Sequence, residues 1–163
     1  MRIGVVGFGN ILFGDDGAGV EVVRRLEGLL DGVELIDGGT SAMEVPLHTF
    51  DALVIVDAAS LPGVPEGEVV VFEKEELLAL PSGVKLSGHS LSVLDHLRLL
   101  EFSGELPEVL FLVALSCKRL SLGASLSPAC EKAVDAAVKK VVELVEDIKA
   151  KFRRLGASDG NVC

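Results

Sequence analysis

Apolar and polar positions switch between two periods along this chain, and the switches predict most of its elements. Arg2 to Gly7 (RIGVVG) is a short β-branched apolar run that opens into glycines, which reads as a buried strand entering a loop. Past that loop, Val20, Val23, Leu26 and Leu30 recur at helical spacing with Glu21, Arg24, Arg25 and Glu27 between them. This is an amphipathic helix, bracketed at its end by Gly28 and Gly32. Val33 to Ile36 (VELI) predicts a second strand closed by Asp37-Gly38-Gly39-Thr40, then a short helix through His48 that Thr40 or Ser41 would cap.

Two runs show no alternation at all. Ala52 to Val56 (ALVIV) and Val109 to Leu115 (VLFLVAL) are apolar at every position, as strands covered on both faces are, and Asp57 reads as the end of the first. Pro62, Gly63, Pro65 and Gly67 make a turn-rich loop. Glu68 to Phe72 (EVVVF) follows after too few residues for a crossover helix, so it is expected to be an antiparallel edge strand. Glu73, Glu75 and Glu76 read as a solvated charge run. Leu91, Val93, Leu94 and Leu97 predict a helix beginning near Ser87 to Ser90. Val134, Val138, Val141, Val145 and Ile148 predict a long one, opened by Ser127 as cap and Pro128 in the first helical position. Strands alternating with helices give an α/β sandwich, with helices on both faces of a mainly parallel sheet of about five strands. Residues 1–155 suit one compact domain, with 156–163 a flexible tail.

Charge narrows the partners. Fifteen basic against 25 acidic residues leave a net charge of −10, the wrong sign for neutralising phosphates, so nucleic acid is excluded as a partner. No run of about 18 apolar residues predicts a membrane span, and the N-terminal run is too short for a signal segment, so a cytoplasmic protein is expected. Cys117, Cys130 and Cys163 are odd in number, widely spaced and contain no C-x-x-C. They read as two small core residues and a tail thiol in a reducing compartment, not as a disulfide framework or a zinc site.

In open α/β sheets, ligands collect beyond the carboxyl ends of the strands, which nominates the loops 8–16, 37–40 and 57–60. The first is GNILFGDDGAGV. Gly7-Phe8-Gly9 begins like a dinucleotide fingerprint, but Leu12 stands where a third glycine is wanted, and Asp15 and Asp16 would repel a pyrophosphate; no Walker lysine follows. An acid pair before a helix has a plain explanation, with Asp16 as N-cap and both charges favouring the dipole. Asp57, at the end of a central strand in the same crevice, has no such explanation, and two carboxylates in one cleft call for a cation.

His89, in Gly88-His89-Ser90, is placed by the same reading at a loop-to-helix junction. His48 and His96 read as structural, one on a short surface helix and one inside an amphipathic pattern. Asp16, Asp57 and His89 would give an O,O,N set acceptable to zinc, nickel or cobalt. Asp37 before Gly38-Gly39 fits an Asx turn. The sequence contains no G-x-S-x-G elbow, no H-E-x-x-H pair and no cysteine with a local activator.

GFGNILFGDDGAGV, LIDGGT, LVIVDAA and GHSLSVLDHL, in that order and spacing, resemble the hydrogenase maturation endopeptidases, over nearly the whole chain up to the last helix. The resemblance implies a three-layer α/β/α sandwich with a five-stranded mixed sheet. It implies a metal-dependent or aspartyl-type endopeptidase that removes a C-terminal extension from the large-subunit precursor of a nickel-iron hydrogenase after nickel insertion. Asp16, Asp57 and His89 would be the metal-contacting and catalytic positions, reading nickel supplied by the precursor, with no nucleotide or organic cofactor. Asp37, Gly38, Gly39 and Thr40 would border the cleft and help position the substrate. Leu115 to Leu120 (LSCKRL) replaces the apolar-glycine-x-x-proline segment of many members, a departure that bears on substrate choice. Two other readings are a non-catalytic metal-dependent assembly factor and a Rossmann-like nucleotide module.

Overall fold

Side chains of a strand point alternately to its two faces, so a run that is apolar at every position needs a cover on each. The computed structural model, which describes residues 1–80, 84–86, 93–117 and 125–160, supplies both covers. Strands β1 (Ile3–Phe8), β3 (Ala52–Ser60) and β6 (Val109–Ser116) run parallel at the centre of one mixed sheet. Outside β1 lies β2 (Glu34–Gly39), also parallel, and outside β6 lies β4 (Val69–Glu73), antiparallel, in the order β2-β1-β3-β6-β4. The antiparallel edge strand is where the turn-rich loop before it places it. A sixth, two-residue strand, β5 (Lys85–Leu86), extends the expected five by pairing with Ala59 and Ser60 of β3.

Ile3, Val5, Val54, Val56, Val113 and Leu115 pack on one face beneath α1 (Ala18–Arg25) and α4 (Pro128–Asp159). Val6, Phe8, Leu53, Ile55, Leu110 and Leu112 face the other way, beneath α2 (Lys74–Leu78), α3 (Val93–Ser103) and two 3-10 turns, Ala42–Glu44 and Leu47–Thr49. The result is the three-layer sandwich. No helix among the described residues is long and apolar enough to cross a membrane.

Several boundaries differ from the periodic reading. Helix α1 stops at Arg25 because the Glu27 and Leu29 amides bond three residues back, to Arg24 and Leu26, and tighten the last turn. The short helix expected through His48 is instead the pair of 3-10 turns, interrupted at Pro46, and Ser41 stands at the cap position without a side-chain bond. Glu73 to Glu76 are not merely a solvated charge run. The Glu73 side chain accepts from the Glu76 backbone, and Glu76 Oε1 accepts from the Glu73 N–H at 3.2 Å, so the acids form the capping box that starts α2. The predicted start of α3 near Ser87 to Ser90 lies outside the described residues.

Ser127 caps α4 as its sequence suggests: its Oγ accepts from the Cys130 N–H at 3.2 Å, with Pro128 first in the helix. The helix runs on past Gly156 to Asp159. The cysteine reading is corrected. Cys117, just beyond β6, and Cys130, in the first turn of α4, are disulfide-bonded with their Cα atoms 5.3 Å apart, because β6 and α4 converge on one face of the sheet. Cys163 lies outside the described residues.

Candidate active site

The loop after β1 doubles back on itself. Gly9 has φ +139°, and a Cβ there would fall on the carbonyl oxygen of Asp16, so only glycine lets the loop close this tightly. Asp16 Oδ2 accepts the Asn10 N–H at 2.9 Å across the closure, and Asn10 Oδ1 accepts the Leu12 N–H at 3.0 Å. With its polar groups turned inward, the loop presents Ile11, Leu12 and Phe13 to solvent at 51%, 61% and 38% exposure. The sequence reading missed this apolar lip. Its only signal is three large apolar residues in a loop that belongs to no helical or strand period.

The two acids divide their work differently from the capping explanation. The cap position of α1 is Gly17, which makes no side-chain bond, so Asp16 is not an N-cap. Asp15 is buried, and its Oδ1 accepts the Ser127 N–H at 2.7 Å while Oδ2 accepts the Ser127 hydroxyl at 2.8 Å. One carboxylate thus ties the glycine loop to the N-terminus of α4, a contact across 112 positions that no local pattern signals. Ser127→Ala removes the hydroxyl that serves both Asp15 and the Cys130 amide. The expected cost is about 1–3 kcal/mol, read as a lowered urea midpoint at unchanged slope.

Asp57 does not end its strand, as the sequence reading had it. Backbone pairing continues through Ala59 and Ser60, because β6 still offers Ala114, Leu115 and Ser116, and β5 adds Leu86 and Lys85. The ladder to β1 does stop one residue earlier, at Gly7 opposite Val56. Asp57, fully buried, is therefore the first β3 residue past the ladder to β1, level with Phe8, from which the glycine loop departs. Gly19 holds the helix against this edge: a Cβ there would sit 2.5 Å from the carbonyl oxygens of both Phe8 and Val56 and 3.1 Å from Asp57 Cα. The 3-10 turn Gly14–Gly17, which carries Asp16, also packs against β3. Asp16 and Asp57 thus belong to one edge of the sheet. His89 lies outside the described residues; β5, which precedes it, ends at Leu86 opposite Ala59.

The D-G-G-T segment flanks the same loop. Strand β2 continues to Gly39 instead of closing at Ile36, since Gly7 and Phe8 of β1 still pair with Asp37 and Gly39 across a register shift. Asp37 Oδ1 accepts the Gly39 N–H at 2.9 Å, the Asx geometry expected, and Gly39 O receives the Gly9 N–H at 2.8 Å. A groove of about 330 Å³ runs between Gly9 to Leu12 on one side and Asp37, Gly39 and Thr40 on the other. Gly38 contributes differently, packed against the Phe8 ring. A second groove of about 350 Å³ lies on the opposite flank of the loop, bordered by Ile11, Gly14, Glu21, Arg24 and Glu131.

Arg25 braces the scaffold behind the loop, bonding Glu21 at 2.9 Å, Glu131 at 2.7 Å and Asp135 at 3.0 Å; the bond to Glu131 above all raises its guanidinium further beyond the ordinary arginine range. His96 is the satisfied structural histidine anticipated, buried with Nδ1 2.6 Å from the Ala42 carbonyl oxygen, and His48 is exposed.

A three-layer sandwich with buried acids from a glycine loop and from β3, at the end of the sheet where β1 gives way to that loop, defines the class, and similar proteins supply its kind. Residues 20–144 match the family described as HycI: hydrogenase maturation protease. Over 152 residues the chain is 36% identical to the hydrogenase 2 maturation protease of Escherichia coli K12, covering 90% of this chain and 92% of that one. Among solved structures, the hydrogenase maturating endopeptidase HybD from E. coli matches with a TM-score of 0.79 at 35% identity, covering 90% of this chain and 93% of that one. The [NiFe] hydrogenase maturation protease HybD from Thermococcus kodakarensis matches at 0.76 and 28% identity, covering 88% and 99%. The chain belongs to the hydrogenase maturation protease family.

Proposed function

We propose that this protein cuts the C-terminal extension from a nickel-iron hydrogenase large-subunit precursor once nickel is in place, and that Asp16, Asp57 and His89 read the precursor's nickel. The observation that carries the reading is the pair of carboxylates at 3% and 0% exposure, delivered by two separate elements to one edge of the sheet. Carboxylate oxygens from two such elements, together with an imidazole nitrogen, make a donor set that nickel accepts. The nickel arrives with the substrate, so the ion is both recognition element and anchor. Coordination by the trio fixes the cleavage segment at the loop and converts its hydrolysis into a reaction between positioned groups.

The groove between the apolar lip and Asp37, Gly39 and Thr40 would take the extended chain beside the cut. Leu12, 61% exposed, would be covered by that chain. Leu12→Ser should raise KM roughly tenfold with little change in kcat, since the loss is of apolar contact equal in ground and transition states. Steady-state kinetics on loaded precursor would show it, and an equal fall in kcat would move Leu12 out of the docking surface.

Hydrolysis itself is tested by mass. Incubating nickel-loaded precursor with the protein should shorten it by a C-terminal peptide. Stable binding without any change in mass would replace the protease with a non-catalytic assembly factor.

A further inference from the structure

The disulfide has an acidic neighbour whose chemistry reaches beyond bracing the fold. Asp15, Cys117 and Cys130 are 1%, 7% and 0% exposed, and one ligand atom from each lies within 4.8 Å of the other two. They come from three elements: the turn Gly14–Gly17, the end of β6 and the first turn of α4. We propose that they form a redox-gated site for a thiophilic divalent cation such as zinc, closed as a disulfide when oxidised and open to metal when reduced.

Geometry and donor chemistry both support it. Zinc takes thiolate at about 2.3 Å and carboxylate at about 2.0–2.2 Å, which sets tetrahedral ligand atoms roughly 3.5–4 Å apart; the three ligand atoms here lie within 4.8 Å of one another, and the two bonded sulfurs must part on reduction to reach that spacing. The Cα separation of 5.3 Å that admits the disulfide also keeps both sulfurs within reach of one ion without moving β6 from α4. Ser127 donates its N–H and hydroxyl to Asp15 at 2.7 and 2.8 Å, the kind of outer support that orients a ligating carboxylate. Two soft sulfurs and one oxygen differ from the O,O,N set at Asp16, Asp57 and His89, so the two sites should prefer different ions.

Opening the site requires a two-electron reductant, here a dithiol. Exchange transfers two electrons and two protons to the Cys117–Cys130 bond, giving two thiols, while the reductant becomes a disulfide. Metal binding then expels both thiol protons to solvent and leaves a fourth position for water. Oxidation by a disulfide of the same class re-forms the sulfur–sulfur bond and releases the ion.

Cobalt(II) is the probe, because thiolate ligation gives a sulfur-to-cobalt charge-transfer absorption that oxygen and nitrogen ligands do not. The Cys163→Ser protein, which retains only the proposed pair of thiols, is reduced with a phosphine and titrated. One equivalent of cobalt should bind with that absorption, the oxidised protein should show none, and excess zinc should abolish it. Cys130→Ser should lose the band, Asp15→Asn should weaken cobalt binding at least tenfold, and Asp57→Asn should retain both, which separates this site from the proposed nickel contacts. Circular dichroism verifies that each variant is folded. Absence of the band in folded, reduced protein, or its persistence in Cys130→Ser, overturns the proposal.

Discussion

Asp57→Asn is expected to leave a folded protein that processes nickel-loaded precursor far more slowly. Asparagine has nearly the shape of aspartate, and the β3 ladder runs through backbone groups, from Asp57 opposite Ala114 to Ala59 opposite Ser116, that the substitution does not touch. What changes is the charge. A neutral amide in a fully buried position is a poor ligand for a divalent cation and leaves Asp16 as the only carboxylate of the proposed trio. Loss of an outer-shell partner alone costs a metal site roughly 10–100-fold, so loss of a direct ligand should cost at least that. The initial rate of precursor shortening gives the effect, and a thermal melt checks the fold. A variant that melts normally and cuts at the normal rate would remove Asp57 from the site.

Gly19→Ala should act on the same edge by displacing it. The added methyl would meet the carbonyl oxygens of Phe8 and Val56 at 2.5 Å, and these belong to paired central strands that cannot yield as a flexible side chain can. Helix α1 must therefore lift from the sheet, carrying with it the turn that holds Asp16. Overpacking of this kind costs about 1–3 kcal/mol, a loss of several degrees in melting temperature for a domain of this size. Gly156→Ala is the matched control. It also lies in a helix, α4, but nothing stands within 4 Å of its added Cβ, so helix propensity should make the change neutral or stabilising by up to about 1 kcal/mol. If both variants melt alike, the close packing of α1 on β1 and β3 does not limit stability.

The parts of the fold legible in the sequence are those with a local cause. The all-apolar runs at 52–56 and 109–115 could only be two-sided strands, and Ser127-Pro128 announces the start of α4 on its own. Strand β5 is only Lys85 and Leu86, formed because β3 runs past β1 and leaves an edge to pair, which depends on two other strands. The end of β3 was misplaced for the same reason. A buried charge looks like a strand end until β6 and β5 are seen to hold the backbone on either side of it. Helix α2 looked like exposed charge because its capping box is built from acids.

The sequence singles out Asp16 as an acid in a glycine loop and Asp57 as an acid following an apolar run, and the structure buries both. The distinction between Asp15 and Asp16 was not legible. It depends on Ser127, and the pairing of Cys117 with Cys130 likewise depends on β6 and α4 meeting over one face of the sheet. Neither meeting leaves a mark in sequence spacing.

In the proposed reaction, the nickel carried by the precursor decides whether it is cut. The direct measurement is the mass of one precursor prepared in two forms, nickel-loaded and nickel-free, after identical incubation with this protein. A C-terminal peptide should be lost from the loaded form alone; equal shortening of both forms would show that nickel does not gate the cut.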